Sequence, residues 1–263
     1  AAVVAAVAAG LVGLLLFSGG MLKVRAWYLL QSLLPALGLI TLVLSGLAAL
    51  VRRHASPALL LTGVLSGLAL VPAVQILAPI MAYPASITAM TPSATVRLPA
   101  DAPLTVLWGG DTLAVNRHVV VPDQRWAYDL VVAPYLTGSA RLTDYGCYGL
   151  PVLAPAAGVV VVAHDGEPDR VPGAGSQNFE APEGNFVALR LETGTYLILA
   201  HLKPGSLAVQ VGERVAEGQP LGQCGHAGPP MPEGGVQLLN GQLIASGQTV
   251  RDLGQGGQVR RQP

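Results

Sequence analysis

The chain has 263 residues, no net formal charge, 11% charged and 51% hydrophobic residues, and a mean hydropathy of +0.51. A soluble globular domain carries about 25% charged residues, so these values exclude a disordered chain and a nucleic-acid binder driven by net charge. They also conceal an asymmetry: residues 1–96 hold four charges, Lys23, Arg25, Arg52 and Arg53, whereas the remainder holds 11 basic and 15 acidic residues. An apolar N-terminal part is followed by an ordinary, slightly acidic domain.

At 1.5 Å per residue, a hydrocarbon core of about 30 Å needs roughly 20 apolar residues. Residues 1–83 therefore read as a membrane region with spans at about 1–17, 27–51 and 58–83, at least three transmembrane helices. The chain begins with Ala1, so the first span is expected to extend upstream of the numbering. A signal-peptide core is the other reading of that stretch, but no small-residue cleavage site leads from it into a soluble domain. Gly38, Ser45 and Gly46 in the second span, with Gly63, Ser66 and Gly67 in the third, suit close helix packing. Pro72 and Pro79 are expected to kink the third helix, and Trp27 and Tyr83 to sit at the membrane interfaces. Lys23 and Arg25 are assigned to the first loop and Arg52, Arg53 and His54 to the second. No ionisable side chain lies mid-span, so the helices read as an anchor or assembly surface rather than an ion pathway. The partners this implies are the lipid bilayer and other membrane-protein subunits.

Residues 84–103, with Pro84, Pro92, Pro99 and Pro103 among small residues, read as a semi-extended linker. Short β-branched runs follow at 112–121, 126–133, 157–163, 186–191, 195–201, 207–211 and 235–239, separated by Gly, Pro and Asp. That pattern predicts an all-β domain over 104–245. Asp165-Gly166 is a hairpin signal, and residues 246–263 read as a loose tail.

Three features could carry chemistry: His118 followed by Asp129, His201 at the end of the 195–201 strand, and the glycine-rich run from Gly222 to Pro230. Period-two alternation puts His201 on the face opposite Tyr196, Ile198 and Ala200. Each feature also has an ordinary reading: a histidine at a sheet rim, or an aspartate paired with nearby Arg125. His164 reads as a solvated loop residue.

The order of the pieces adds information. NRHVVVPDQRWAYDL at 116–130, YGLPVLAPAAGVV at 148–160, GNFVAL at 184–189, LAHLKPGSLAV at 199–209, VGERVAEGQPLGQCGHAG at 211–228 and VQLL at 236–239 together resemble the lysostaphin/LytM-type zinc metalloendopeptidases, many of which cut peptidoglycan cross-bridges. The resemblance covers roughly 104–245 and implies a LytM-like β-sheet of the duplicated hybrid-motif type. It implies a zinc ion held by a His, an Asp and the second His of a terminal His-x-His, activating water and polarising the scissile carbonyl. His118 and Asp129 take the places of the first two ligands, and His201 that of a histidine handling charge and protons. The terminal motif is missing: Glu233 stands where the family has its first His, and Gly235 where it has the metal ligand. His226 is a possible substitute ligand.

The resemblance therefore implies a membrane-anchored, catalytically inactive peptidase-like domain without a cofactor, acting as a binding, regulatory or structural subunit, with peptidoglycan as a further candidate partner. The alternative is an active zinc endopeptidase with a rebuilt ligand set. The turn at 218–222 also resembles lipoyl- and biotin-carrier domains, but the only lysine after position 23 is Lys203, beside Pro204 rather than at a hairpin tip. Relatives with the Asn-x-His variant carry cysteines near the positions of Cys147 and Cys224, which implies a disulfide; two buried thiols are the other reading. Charge counting leaves the orientation open. The resemblance and the bridge place the domain on the outer side of a bacterial cytoplasmic membrane.

Overall fold

The computed structural model describes residues 1–85, 94–172, 181–227, 236–239 and 258–259. The chain divides into a helical unit, Ala1–Ala85, and a β unit that holds the remaining described residues.

The helical unit contains α1 (Ala2–Phe17), α2 (Gly20–Gln31), α3 (Leu33–Arg52), α4 (Pro57–Leu68) and a short α5 (Val74–Leu77). Helices α2 and α3 run on as one 32-residue apolar stretch, Met21–Arg52, and Pro57–Ile76 forms a second stretch of 20 residues; an 18-residue window within each has mean hydropathy 2.3 and 2.0 respectively. These two are long and apolar enough to cross a membrane. At 16 residues, α1 is shorter, about 24 Å at 1.5 Å per residue. The first connection is only Ser18-Gly19, so Lys23 and Arg25 lie on α2 rather than in a loop. Straight-chain residues and the lack of a proline let the helix begin that early.

The bend between α2 and α3 falls at Ser32, three residues before Pro35, which has no N–H to give to the preceding turn. Ser32 Oγ donates to the Tyr28 carbonyl at 2.8 Å, and Gln31 Nε2 to the Trp27 carbonyl at 3.2 Å. Pro72 lies in a 3-10 turn, Val71–Ala73, that interrupts the helix after α4. Pro79 lies beyond α5 and kinks nothing. Trp27 and Tyr83 are both buried and meet edge to face at 5.7 Å, rather than facing outward as interfacial anchors. Gly38 brings α3 and α4 into contact: a Cβ there would stand 2.8 Å from the Ser66 carbonyl oxygen, and Thr41 and Ser66 hydroxyls hydrogen-bond at 2.7 Å. Leu44, Leu47, Leu50 and Val51 on α3, with Leu60, Leu61 and Val64 on α4, are exposed. An all-apolar outer surface of this kind suits lipid.

The β unit contains β1 (Leu104–Trp108), β2 (Tyr128–Val131), β3 (Pro151–Leu153), β4 (Gly158–His164), β5 (Asn185–Leu191), β6 (Tyr196–Leu202), β7 (Arg214–Val215), β8 (Pro220–Gln223), β9 (Val236–Leu239) and β10 (Gln258–Val259). Eight form an antiparallel sheet in the order β10-β1-β2-β9-β6-β5-β4-β7, while β3 and β8 pair separately. Alternation sorts the side chains: Leu130, Val160, Val187, Leu189, Leu197 and Leu199 are fully buried on one face. At about 25 cal/mol per Å², burying each such side chain contributes on the order of 2 kcal/mol. Cys147 and Cys224 form a disulfide with a Cα separation of 5.8 Å, tying the segment before β3 to the residue after β8.

Several expected elements differ. Residues 112–121 form turns rather than a strand, because Asn116 Oδ1 accepts the His118 N–H and starts a 3-10 turn, Arg117–Val120. Residues 207–211 form no strand; Ala208 N makes a single bond to the Leu221 carbonyl. Asp165-Gly166 does not close a tight hairpin, since β4 ends at His164 and β5 starts at Asn185; Asp165 Oδ1 instead accepts the N–H groups of Gly166 and Gly205. His164 is the last residue of β4, with its ring against Phe186 at 5.7 Å. The end of the expected linker belongs to the β unit: Val96, Leu98 and Ala100 pack on its core, and Arg97 N bonds to the Pro155 carbonyl. Gln258–Val259, from the expected tail, pairs with β1.

Candidate functional site

The site forms where β2 meets the turn before it. His118 is 8% exposed and Asp129 fully buried. His118 Nε2 lies 2.9 Å from Asp129 Oδ1, and its Nδ1 lies 2.9 Å from Gln124 Oε1. Arg117 Nη2 is 3.5 Å from Asp129 Oδ2, and its guanidinium stands 5.4 Å from the centre of the Trp108 ring. Asn116 secures the turn: its Nδ2 donates to the carbonyls of Gly110 and Ala127, at 3.0 and 3.3 Å. The aspartate thus has a histidine on one oxygen and a cation on the other.

Arg125 does not pair with Asp129. It is buried, stacks over Trp126 at 4.4 Å, and bonds Asp111 through both that residue's side chain and its carbonyl at 3.0 Å. Burial lowers its pKa, against the opposing pull of Asp111.

His201, the penultimate residue of β6, has φ 61. This left-handed backbone is uncommon for a non-glycine residue, and it ends the regular alternation one residue after Ala200. Its Nδ1 meets the Ala227 carbonyl at 2.6 Å, and its N–H donates to the Glu183 carbonyl at 3.0 Å. His226 is 4% exposed, and its Nε2 has no hydrogen-bond partner among the described residues. Burial, and then proximity to His201, lower its pKa; Asp169 opposes the shift.

Sequence reasoning missed Asp169. Its Oδ1 accepts the His226 N–H at 2.7 Å, and its Oδ2 accepts the Tyr148 hydroxyl at 2.8 Å. Tyr148 is pushed up to about 12 by burial and by this bond to a carboxylate. Asp169 lies in an irregular loop with no spacing signal that would have singled it out.

Glu233 and Gly235 lie outside the described residues. Their neighbour β9 is described, and its register sets Gln237 opposite Asp129 of β2 on one side and opposite Ala200 of β6 on the other. Strand β9 therefore runs between the Asp129 strand and the His201 strand.

A model of peptidase family M23 matches residues 141–238. The matched span lies within the β unit, which is similar to that family over those residues. His118 and Asp129 precede the matched span, but the β2–β9 register brings Asp129 beside it. No curated protein matches the chain. Among solved structures, the lysostaphin catalytic domain of Staphylococcus simulans is 18% identical, covering 53% of this chain and 78% of that one at TM-score 0.32. A Pseudomonas aeruginosa protein assigned to peptidase M23 is also 18% identical, covering 61% and 51% at 0.34. A zinc-containing peptidase of Vibrio cholerae is 16% identical, covering 55% and 35% at 0.31. The chain spans about half the length of the Pseudomonas protein and a third of the Vibrio one.

The residues present do not fit the zinc of this family. Two donors, His118 and Asp129, stand together; by the sequence resemblance the third position falls at Gly235, and a glycine has no side chain to offer. Among the described residues no group of three His, Cys, Asp or Glu converges on a point that would hold a metal. A protein zinc site needs at least three such ligands.

Proposed function

We propose that the chain is a membrane-anchored M23 domain that does not hydrolyse peptide bonds and serves as a binding, regulatory or structural subunit. One observation carries the reading: both oxygens of the would-be ligand Asp129 are engaged by protein cations or donors, His118 and Arg117, while the third ligand position is a glycine. Arg117 supplies beside Asp129 the positive charge that a metal would otherwise supply. The long apolar helices support the anchor, and three spans is the proposed arrangement, with α1 continuing into the membrane. The Cys147–Cys224 disulfide supports an oxidising, extracytoplasmic side.

The chemistry left at the site is recognition by donors and acceptors fixed on the sheet. Peptidoglycan peptide is the proposed ligand class, bound without cleavage. Sedimentation of the full chain in detergent with purified peptidoglycan tests this: the reading expects saturable retention and no soluble fragments, and fragment release stopped by a chelator would overturn it.

A second reading, an active zinc endopeptidase with a changed ligand set, draws on His226. That imidazole is buried with its Nε2 unpartnered among the described residues, and it lies close to His201. Loss of zinc from the protein on changing His226→Ala would favour it.

A further inference from the structure

At the opposite end of the large sheet, three strands from β2, a cleft of about 520 Å³ opens over β5, β4 and β7. Its lining includes Val159, Arg190, Glu192 and Arg214. Register fixes the two arginines. Val159 of β4 pairs with Arg190 on one side and Arg214 on the other, so all three lie on one face in one row. Two strand spacings set the arginine backbones about 10 Å apart. The adjacent row, Leu191, Gly158 and Val215, faces the opposite way, and its Leu191 and Val215 are buried. The arginines and Glu192 are exposed, and none of these three side chains has a hydrogen bond or ion pair among the described residues.

Elsewhere on the β unit Arg97, Arg117 and Arg141 are paired with carboxylates, whereas these two guanidiniums line one cleft without such a partner among the described residues. Two guanidiniums in one row of one cleft suit a phosphate group: one fork can take the two non-bridging oxygens of a diester as a pair, and the second adds positive charge beside them. Charge narrows the class. Arg190, Arg214 and Glu192 sum to a single positive charge, which a singly charged phosphodiester balances, whereas a phosphomonoester brings −1.5 to −2 at pH 7 and meets Glu192. We infer that this cleft binds a phosphodiester group, from a phospholipid headgroup or from a soluble phosphodiester. The inference is independent of whether the His118–Asp129 site is catalytic.

Calorimetric titration of the full chain in maltoside micelles tests it, with glycerophosphoglycerol as the diester probe and glycerol phosphate as the monoester. The expected result is saturable diester binding that exceeds monoester binding. In the Arg190→Gln/Arg214→Gln double variant diester affinity falls at least tenfold, and Arg190→Lys/Arg214→Lys restores part of it. Glu192→Gln narrows the gap between the two probes. Phosphatidylglycerol added to the micelles competes if the source is a lipid headgroup and does not if the source is soluble. Absence of saturable diester binding, or equal affinity in wild type and the glutamine double variant, overturns the inference.

Discussion

His118 Nε2 lies 2.9 Å from Asp129 Oδ1, and Arg117 reaches the other oxygen of the same carboxylate from 3.5 Å. The aspartate is fully buried, so its charge is supported by these neighbours rather than by water. In this account the trio is structural. Asp129→Ala leaves His118 and Arg117 without their partner, and breaking a buried pair costs about 3–5 kcal/mol. The partial exposure of Arg117 favours the low end. Thermal melting of the variant in micelles should fall by several degrees, while a chelator leaves the wild-type melting temperature unchanged.

Adding back the missing ligand is the complementary substitution. Gly235→His, together with Glu233→His, restores the family's terminal pair beside β9. The account expects zinc uptake by this double variant at or near one ion per chain, measured by elemental mass spectrometry, with His118 and Asp129 required for it.

The disulfide closes a loop with a sequence separation of 77 residues. Chain-entropy arguments assign a loop of this size about 4 kcal/mol. Cys147→Ser/Cys224→Ser should lower the unfolding free energy of the β domain by that order, read from denaturant titration followed by tryptophan fluorescence.

Two groups set opposite pH limits. Tyr148 is raised from 10.0 to about 12, so its contribution to stability is complete below pH 10 and disappears as pH rises through about 12. Ultraviolet titration should show one tyrosine ionising near that upper value, and Asp169→Asn should bring it down. His226 is lowered from 6.5; its neutral form is the one the fold accepts, so stability present above pH 6.5 is lost as pH falls below it. Melting temperatures between pH 8 and 5 should drop, and His226→Gln should flatten that drop.

In the helical unit, Gly38→Leu forces a side chain into the space held by the Ser66 carbonyl and Ala69 Cβ, 2.8 and 2.9 Å from where its Cβ would stand. Overpacking of this kind costs roughly 1–3 kcal/mol. Cysteines placed at Thr41 and Ser66, whose hydroxyls meet at 2.7 Å, should cross-link in the parent and lose cross-linking in the Gly38→Leu chain.

Much of the β domain was legible because its β-branched runs are bounded by turn residues: β4, β5, β6 and β9 follow those runs closely. What was not legible depended on side chains that satisfy backbone locally. Asn116 turns the Val119–Val121 run away from a strand, and nothing in that run of valines announces it. Strands β3, β7 and β8 are only 3, 2 and 4 residues long, too short to show a period. The pairing of Arg125 with Asp111 rather than Asp129 follows from a fold contact 14 residues apart in sequence. In the helical unit, apolar content marked the helices but not their joins: α2 and α3 merge across Ser32 because Lys23 and Arg25 are good helix formers as well as charges.

The central claim is that this M23-like domain lacks a working zinc site, and the direct measurement is zinc content of the purified full chain, dialysed against trace zinc, paired with cleavage of a cross-bridge peptide. The account predicts zinc well below one ion per chain, unaltered by His118→Ala or Asp129→Ala, and an intact peptide. One zinc per chain, lost on either substitution and accompanied by cleavage, would contradict it and make the chain an endopeptidase with a rebuilt ligand set.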